Sequence, residues 1–395
     1  MNEKVVKLKD ICTIKSGYAF KKGDFTRSGV PVVKIANLNG EEVRINEKTS
    51  FVDQSFFTKL SEYRIKKGDI LIALSGATTG KLAINYLERD LLLNQRVGII
   101  KPKNDKVESK FMYYILKHVQ GRILSDAFGV AQPNISPSKL LEYEVPVPCI
   151  KLQRKIIEIL ECMNNVIKKR ENQIKVLSNL KQSVFYDMFG DPQLNTKNWK
   201  KGRIRDLTES TQYGSSKKAS ETKGQYPILR MNNITYDGEL VLSDLKYIDL
   251  DEKEKTKHLV SAGDLLFNRT NSKELVGKTT VYDKNDPVAY AGYLVKLIPN
   301  DLANSNFISG YLNSNYGKRY LYNMAKNIVG MANINAKELQ SIPIIIPPKE
   351  LQDKYEFKLK EINTRLEIMK NSIQEYQNLY NSLMQKAFKG KLLYN

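Results

Sequence analysis

Two short segments of the 395-residue chain combine glycine, hydroxyl and lysine side chains in the manner of phosphate-binding loops. They are GATTGKL at 76–82 and LVGKTT at 275–280. Both miss the nucleotide-binding pattern, because Leu82 stands where a hydroxyl should bind magnesium and Ser272 where the first glycine should be. We interpret them as loops suited to phosphates or base edges. The alternative interpretation is a pair of tight surface turns.

The other patterns that could support catalysis are incomplete. A methyltransferase working alone would need an Asn/Asp-Pro-Pro-aromatic motif, but the Asp-Pro at 191–192 is followed by Gln193. The run at 249–253 contains the carboxylates and the lysine that a nuclease site needs, although such a charged run is typical of a solvated face. The only histidines are His118 and His258, at non-equivalent places, which argues against a histidine-dependent triad.

The cysteines and the hydropathy pattern exclude further classes. Cys12, Cys149 and Cys162 form no Cys-x-x-Cys pair, which argues against a structural zinc site and against zinc-dependent deaminase chemistry. Three unpaired cysteines are typical of a reducing compartment. The N-terminal MNEKVVKLKD has no apolar core and no run approaches the length of a membrane span, so we expect a cytoplasmic chain.

The net charge points to a polyanionic partner. Lysine and arginine number 63 against 43 aspartates and glutamates, which gives +20 at pH 7. Nucleic acid is the commonest soluble polyanion, and the alternative is a basic surface kept for solubility. The length and a hydrophobic fraction of 41% predict two or three folded domains rather than a disordered chain.

The sequence repeats itself in the same order of blocks, and this repeat predicts the domain organisation. Asp10 corresponds to Asp206, and the spacing between matched blocks drifts by only a few residues, as small loop insertions would cause. The matched blocks are PVVKIANL at 31–38 with PILRMNNI at 227–234, FVD at 51–53 with YID at 247–249, KKGDILIALSG at 66–76 with SAGDLLFNRTN at 261–271, and NISPSKLLEYEVPVP at 134–148 with NINAKELQSIPIIIP at 333–347.

Each copy ends in a predicted long helix. In the stretches 151–189 and 350–388, apolar residues recur at intervals of three and four positions, and no glycine or proline interrupts them. Gly190 and Gly390 mark their ends. Because a narrow apolar stripe on an isolated helix would stay in water, we predict that the helices pair antiparallel. The alternative is that each packs on its own globular domain. The predicted pairing residues are Ile156, Met163, Ile174, Leu177, Val184, Leu359, Ile362, Leu366, Ile373 and Leu383.

The globular copies are predicted to be α/β domains with more strand than helix. We predict short helices at 110–124 and 306–323. The predicted fold class is α+β: two α/β domains related by a pseudo-two-fold and separated by two long antiparallel coiled-coil helices. The predicted segments are 1–148, 149–190, 191–347 and 348–395. The predicted strands are 32–35, 70–74, 97–100 and 145–147, with counterparts at 228–231, 265–268, 294–298 and 342–346.

A duplicated, cationic chain without a catalytic motif is suited to two separate short sequences on a DNA duplex. Lysine and arginine would hold phosphates, and Asn, Gln, Arg, Ser and Thr would select bases in the grooves. The candidates occupy matching places in the two copies, and we expect about half of them to touch DNA. In the first copy they are Lys15, Ser16, Tyr18, Lys21, Lys22, Lys34, Asn37, Ser75, Thr78, Thr79, Lys81, Gln95, Arg96, Gln132 and Asn134. In the second they are Tyr213, Ser215, Ser216, Lys217, Lys218, Arg230, Asn233, Arg269, Asn271, Ser272, Lys273, Lys278, Tyr293, Asn333 and Asn335.

The layout resembles the specificity (S) subunit of type I restriction-modification enzymes across essentially the whole chain. Individually the shared motifs are short, but they occur twice in the same order. They are Gly-Asp-Ile-Leu at 68–71 and Gly-Asp-Leu-Leu at 263–266, Asn-Ile-Ser at 134–136 and Asn-Ile-Asn at 333–335, Leu-Gln at 152–153 and 351–352, and the helix ends QSVFYDMFG at 182–190 and NSLMQKAFKG at 381–390.

The resemblance implies a function for each part. Each globular copy would be a target recognition domain that reads one half of a bipartite asymmetric DNA site, and the helices would set the gap. Two modification (M) subunits would bring S-adenosylmethionine and flip the target adenine. A restriction (R) subunit would bring ATP and magnesium. The chain itself would hold no cofactor or metal and would not be a catalyst.

Three other classes stay open on the sequence alone. The chain could be the specificity component of another restriction class, a stand-alone DNA-modifying enzyme, or an adaptor whose helices bind protein and whose charge is incidental.

Overall fold

The computed structural model describes residues 4–127, 133–328 and 330–390. The helices are α1 (Leu8–Ile11), α2 (Gln54–Lys59), α3 (Ser109–His118), α4 (Gln120–Ala127), α5 (Pro137–Leu141), α6 (Ile150–Phe189), α7 (Glu252–His258), α8 (Ser305–Asn313), α9 (Asn315–Met324), α10 (Ala336–Ser341) and α11 (Lys349–Phe388). The first ten strands are β1 (Lys4–Lys7), β2 (Cys12–Ser16), β3 (Phe25–Thr26), β4 (Val30–Val33), β5 (Ser50–Val52), β6 (Ile70–Ala73), β7 (Leu82–Ile84), β8 (Leu92–Leu93), β9 (Val97–Pro102) and β10 (Glu144–Val147). The others are β11 (Lys200–Arg203), β12 (Thr208–Tyr213), β13 (Tyr226–Leu229), β14 (Lys246–Ile248), β15 (Leu259–Val260), β16 (Leu265–Asn268), β17 (Thr270–Asn271), β18 (Thr279–Val281), β19 (Val288–Tyr290), β20 (Leu294–Pro299), β21 (Lys326–Ile328), β22 (Met331–Asn333) and β23 (Pro343–Ile346).

The chain divides into two compact units. Unit 1 comprises Met1–Arg170 and Ser372–Asn395, and unit 2 comprises Glu171–Asn371. Each unit contains one globular copy, one half of α6 and one half of α11. The compact units therefore cut across both long helices, whereas the four predicted segments follow the chain. That four-part division stays a sequence-based prediction.

Unit 1 is built on two four-stranded sheets. One has the order β2-β9-β6-β7 and the other β3-β5-β4-β8, and a two-stranded ribbon joins β1 to β10. All pairs are antiparallel except β4 with β8. The strands β4 and β6 are buried along their whole length. This burial explains why their sequences are continuous apolar runs rather than alternations of apolar and polar residues.

Unit 2 repeats this plan. Its sheets have the orders β12-β20-β16-β18 and β14-β13-β19-β15, and β11 pairs with β23. It also contains a three-stranded sheet, β17-β22-β21. The predicted duplicated α/β domain is therefore confirmed, and each predicted strand overlaps an observed one. The two predicted short helices are each split into two. The second breaks at Ser314, because its hydroxyl accepts the Gly317 amide and starts α9.

The Gly-Asp motif of each copy shapes the turn that precedes the central strand. Gly68 and Gly263 have φ of 87° and 96°, the left-handed region that favours glycine. Asp69 accepts the Lys66 amide at 2.6 Å, and Asp264 accepts the Ser261 amide at 2.8 Å. These motif residues thus have a structural role at the start of β6 and β16.

Within unit 1 the start of α6 packs beside the end of α11. Ile156 and Leu160 share one core cluster with Met384 and Phe388, and Leu383 packs at its edge. Further along, the Arg170 guanidinium carbon lies 5.9 Å from the ring centroid of Tyr376. Positions that rise along α6 meet positions that fall along α11, so the two helix segments are antiparallel here.

Within unit 2 the end of α6 packs beside the start of α11. The Phe185 and Phe189 rings lie 5.7 Å and 5.3 Å from the Tyr355 ring, between centroids. Both phenylalanines also face Phe307 of α8. The long helix segments therefore both pair with each other and pack on the globular domain, so the two alternatives occur together.

The predicted pairing residues fall into two groups. Ile156, Ile362 and Leu366 are buried, and Leu383, Val184 and Leu359 pack at the edges of the core clusters. Met163, Ile174, Leu177 and Ile373 are only partly buried. The deepest positions of α6 include Leu160, Phe185 and Phe189, which the predicted set leaves out.

The glutamine of each Leu-Gln pair locks the helix start to the globular domain. Gln153 and Gln352 are fully buried. The Gln153 side chain donates to the carbonyls of Lys106 and Pro148, both at 2.8 Å, and accepts the Glu108 amide at 3.0 Å. Gln352 makes the same three kinds of bond, to Leu302, Pro347 and Asn304.

Replacing Gln153 by alanine is expected to lower the free energy of unfolding of unit 1 by roughly 2–4 kcal/mol, because buried carbonyls and an amide lose their partner. Urea denaturation measures this change. The control is Gln385→Ala, which removes an exposed glutamine from α11 in the same unit and should change stability by less than about 0.5 kcal/mol. Equal stability of the two variants would contradict the locking role.

Candidate nucleic-acid interface

Backbone hydrogen bonds bring the candidate segments of unit 2 to one edge. The Ser215 amide donates to the Tyr290 carbonyl at 2.8 Å, and the Gly292 amide returns a bond to Ser215 at 2.8 Å. The Arg269 amide donates to Tyr293 at 3.0 Å, and the Arg269 carbonyl accepts from Ile334 at 2.9 Å. The segments near 213–218, 269–273, 290–293 and 331–335 therefore meet.

Unit 1 has the same arrangement at the corresponding residues. The Tyr18 amide donates to Leu93 at 2.8 Å, and the Gln95 amide donates to Tyr18 at 3.0 Å. The Leu74 amide donates to Arg96 at 2.9 Å, and its carbonyl accepts from Ile135 at 2.9 Å. Leu74 thus occupies the place of Arg269, and Arg96 the place of Tyr293.

Most of the predicted side chains at these two edges reach solvent. Among the candidates, exposed tyrosines lie at the edge of unit 2, where Tyr213 is 40% and Tyr293 is 52% exposed. The exposed candidates are Lys15, Lys21, Lys22, Thr78, Gln95, Arg96 and Asn134 in unit 1, and Tyr213, Ser216, Lys217, Lys218 and Tyr293 in unit 2. The partly exposed ones are Ser16, Tyr18, Lys34, Ser75 and Lys81 in unit 1, and Arg230, Arg269, Asn271, Ser272, Lys273, Asn333 and Asn335 in unit 2. The candidate Gln132 lies outside the described residues.

Several candidates are buried in this structure and do not present their side chains to solvent, so their contact with DNA stays a sequence-based prediction. The amide of Asn37 donates to the Arg44 carbonyl at 2.9 Å and to Thr49 at 2.8 Å. Its counterpart Asn233 donates to the Val241 carbonyl at 2.9 Å. Ser215 is also buried. The Asn37 and Asn233 side chains are occupied within their own turns, and the Ser215 side chain is buried within one of the converging segments, so we leave these three side chains out of the proposed interface.

The two phosphate-loop segments are tight turns. The Thr79 hydroxyl donates to the carbonyls of Gly76 and Pro133, and only 1% of this residue is exposed. Lys278 is 6% exposed and donates to the carbonyls of Met231 and Ile234 at 2.6 Å and 2.5 Å. Burial lowers the pKa of Lys278. The Thr79 and Lys278 side chains are therefore engaged inside the turns, and their phosphate contacts stay a prediction without structural support, whereas Thr78 and Lys81 keep access to solvent.

Two asparagines of the second copy serve neighbouring elements. Asn335 accepts the Glu338 amide at 2.9 Å and caps α10. Asn333 donates to the Thr270 hydroxyl at 2.7 Å and joins β22 to β17. Both are partly exposed, so they keep access to solvent at this edge.

The edge cations differ in how far they are neutralised. Lys15 pairs with Glu62 and Lys217 with Glu254, and these exposed ion pairs contribute little stability, so phosphates can compete for the lysines. Lys34 donates to the Ser50 hydroxyl at 2.7 Å, and burial lowers its pKa. Within the described ranges, no carboxylate forms an ion pair with Lys21, Lys22 or Lys218.

Sequence reasoning missed Tyr322 at the unit 2 edge. Tyr322 is 45% exposed, and the Lys273 ammonium lies 4.7 Å from the centroid of the Tyr322 ring. An exposed aromatic ring beside a cation is a suitable surface for a base. The only available signal was a tyrosine on the polar face of the predicted helix at 306–323, a pattern that does not reveal which loop it meets.

A carboxylate holds the globular part of each unit to its helix segments. Glu239 accepts from Lys370 at 2.8 Å and from Lys181 at 3.4 Å. Burial alone would raise the pKa of Glu239, but the bonds and charges of these lysines lower it. In unit 1, Glu41 pairs with Lys168 at 2.6 Å. Crevices of about 300 Å³ in unit 1 and 600 Å³ in unit 2 lie at these equivalent places.

The acidic residues and the histidine named above as possible catalytic groups make contacts that support the fold. Asp249 accepts the Gln225 amide at 2.8 Å, and Asp251 caps α7. The His118 ring stacks on Phe388 with 4.6 Å between centroids. In the part of the chain that the structure describes, no group of three His, Cys, Asp or Glu side chains could hold a metal ion. Over the same residues, no helix is both long and apolar enough to cross a membrane.

Solved structures share this fold over nearly the whole chain. The crystal structure of the S subunit of a type I restriction-modification system from M. genitalium superposes with a TM-score of 0.54 at 14% identity, covering 98% of this chain and 96% of that one. A chain from a structure of a type I R-M system, solved to explain complex assembly and conformational transition, gives a TM-score of 0.60 at 16% identity and covers 98% of both chains.

The sequence comparisons agree with the fold. The EcoKI specificity subunit of Escherichia coli K12 is 24% identical over 392 residues, which covers 92% of this chain and 82% of the relative. The putative MjaX specificity subunit of Methanocaldococcus jannaschii is 24% identical over 415 residues, with 98% and 93% covered. The family model for the type I restriction modification DNA specificity domain matches twice, at residues 2–176 and 196–378. The chain therefore belongs to the family of type I restriction-modification specificity subunits.

Proposed function

We propose that this chain selects the DNA sequence on which a type I restriction-modification complex acts. Unit 1 binds one half of a bipartite asymmetric site and unit 2 binds the other. The observation that carries the proposal is the repeated edge: four segments converge in each unit through matching backbone bonds and present cations, amides and hydroxyls to solvent. The side chains at the two edges differ, which fits two different half-sites.

The edges combine the two kinds of contact that DNA recognition needs. Lys21, Lys22 and Lys218 are suited to phosphates, which supply affinity without sequence choice. Gln95, Arg96 and Asn271 carry the donors and acceptors that distinguish base pairs in the major groove. Affinity and selectivity therefore come from different residues of the same edge, and they are separable by mutation.

The long helices are proposed to set the gap and to hold the partner subunits. Apolar side chains on their outer faces in unit 2 support the second role, since Val176 is 69%, Phe357 is 65% and Ile368 is 63% exposed. Isolated exposed apolar residues are ordinary, but three on paired helices fit a protein-binding surface. The expected partners are two M subunits and, where present, R subunits.

Catalysis is proposed to reside in those partners. S-adenosylmethionine would belong to the M subunit, and ATP and magnesium to the R subunit, while this chain would carry none of them. The names of the curated relatives support this division, since each is a specificity subunit. A stand-alone modifying enzyme or an adaptor with incidental charge finds no comparable support.

The lysine contacts are testable by salt dependence. The double variant Lys21→Ala/Lys22→Ala is expected to weaken binding to all duplexes alike and to reduce the slope of log affinity against log salt by roughly 1–2, about 0.9 for each lost phosphate contact. Titrations of labelled DNA between low and moderate salt measure both quantities for the complex with its M subunits.

The matched control removes the same charge elsewhere in unit 1. Lys151 and Lys155 are exposed on α6, and the variant Lys151→Ala/Lys155→Ala should leave the salt slope unchanged. If both double variants reduced affinity equally, the charge would act non-specifically and the proposed edge would be wrong.

A further inference from the structure

Arg269 presents a guanidinium group whose donors are largely unused within unit 2. Its Nη1 lies 3.5 Å from the Gly292 carbonyl, at the limit of a hydrogen bond. Its Nε is buried without a partner. Within the described ranges no carboxylate forms an ion pair with it. The Arg230 Nε is likewise buried without a partner, but its Nη2 reaches the Asp244 carbonyl and carboxylate at 2.9 Å and 3.0 Å.

The position of this guanidinium is fixed. Its central carbon lies 4.9 Å from the ring centroid of Tyr213. That ring is anchored because its hydroxyl accepts the Ala336 amide at 3.1 Å. The Arg269 backbone is held on both sides, by Tyr293 and Ile334. A stacked arginine on a fixed ring loses little further freedom when it binds a planar partner.

The surroundings are those of a base contact. Tyr213 and Tyr293 are exposed beside Arg269, and Asn271 follows two residues later on β17. A planar fork of N–H donors matches the O6 and N7 acceptors of guanine, which no other base pair presents together in the major groove. A phosphate contact does not need a planar, fixed donor pair, and a flexible lysine side chain such as that of Lys218 can make it.

We propose that Arg269 reads a guanine in the half-site bound by unit 2, donating two hydrogen bonds to its O6 and N7. The inference rests on the proposed DNA-recognition function and adds the base and the residue that selects it. At the equivalent position unit 1 has no side chain that could contact a base, because Leu74 makes the same two backbone hydrogen bonds there and is only 4% exposed. The guanine preference that depends on Arg269 therefore belongs only to the half-site bound by unit 2.

Two variants test the proposal in the complex with its M subunits. Arg269→Lys keeps the charge but replaces the planar fork stacked on Tyr213 by a flexible ammonium, and Arg269→Ala removes the charge and the donors. Binding is measured to a duplex library in which every position of both half-sites is varied. In Arg269→Ala the preference for guanine at one base pair of one half-site is expected to fall by roughly 5- to 150-fold, and in Arg269→Lys it is expected to fall by less at the same base pair, with all other positions unchanged.

The control and the opposing outcomes are distinct. Arg205→Lys, at an exposed arginine of unit 2, should leave every preference intact, and thermal denaturation checks that each variant folds. Uniform weakening on all sequences in Arg269→Ala with a smaller salt slope, and unchanged preferences in Arg269→Lys, would identify a phosphate contact and overturn the inference. Unchanged binding in both variants would overturn it as well. If the unmodified complex showed no sequence preference at all, the proposed function itself would fail instead.

Discussion

Replacing Phe185 by alanine is expected to lower the free energy of unfolding of unit 2 by roughly 3–5 kcal/mol, the range for truncating a buried phenylalanine. Only 1% of this residue is exposed. Its ring faces Phe189 of the same helix at 5.1 Å, Tyr355 of α11 at 5.7 Å and Phe307 of α8 at 6.1 Å, all between centroids. One side chain thus joins both helix segments to the globular part, and its loss leaves a cavity at their junction.

Chemical denaturation with a probe in unit 2 measures this loss, and Phe357→Ala is the matched control. Phe357 lies on α11 in the same unit but is 65% exposed, so the same substitution should change stability by less than about 0.5 kcal/mol. If Phe185→Ala were as stable as the control, the helix segments would not depend on this aromatic cluster. Tight DNA binding by unit 2 should weaken in parallel with the stability of Phe185→Ala.

Lengthening both long helices by four residues is expected to change the gap between the half-sites without changing either half-site. The insertions follow Arg170 in α6 and Asn371 in α11, where the two compact units divide. Four helical residues add about 6 Å, which corresponds to nearly two base pairs at about 3.4 Å each. The preferred gap should therefore increase by one or two base pairs.

Sequencing of methylated DNA from cells that carry the variant and its M subunit measures the gap. A four-residue insertion in the exposed loop near Lys284 of unit 2 is the control and should leave the gap as it was. An unchanged gap after both helices are lengthened would contradict the proposal that they set the spacing.

The elements of this fold could be predicted from the sequence because each carries a strong local signal. Continuous apolar runs such as 70–74 and 265–268 match the buried strands β6 and β16. The two long helices begin and end within a residue or two of the predicted positions, because proline precedes them, glycine follows them, and neither interrupts them. The internal repeat then linked each element of one unit to its counterpart in the other.

The direction of the polar side chains could not be predicted in the same way. Asn37 and Lys278 have the composition of a DNA-binding loop, yet both turn inward to satisfy backbone carbonyls of neighbouring turns. Nothing local in the sequence distinguishes them from Thr78 or Lys218, which face solvent. The role of Gln153 could not be predicted either, because two of its three partners, Glu108 and Lys106, lie 45 and 47 positions away.

The most direct measurement is the sequence context of every methylated base in DNA from cells that express this chain with its M subunit. We predict one motif with two short specified parts separated by a fixed unspecified gap, and no methylation of that motif when this chain is removed. A single contiguous motif, or the same motif in cells without the chain, would contradict it.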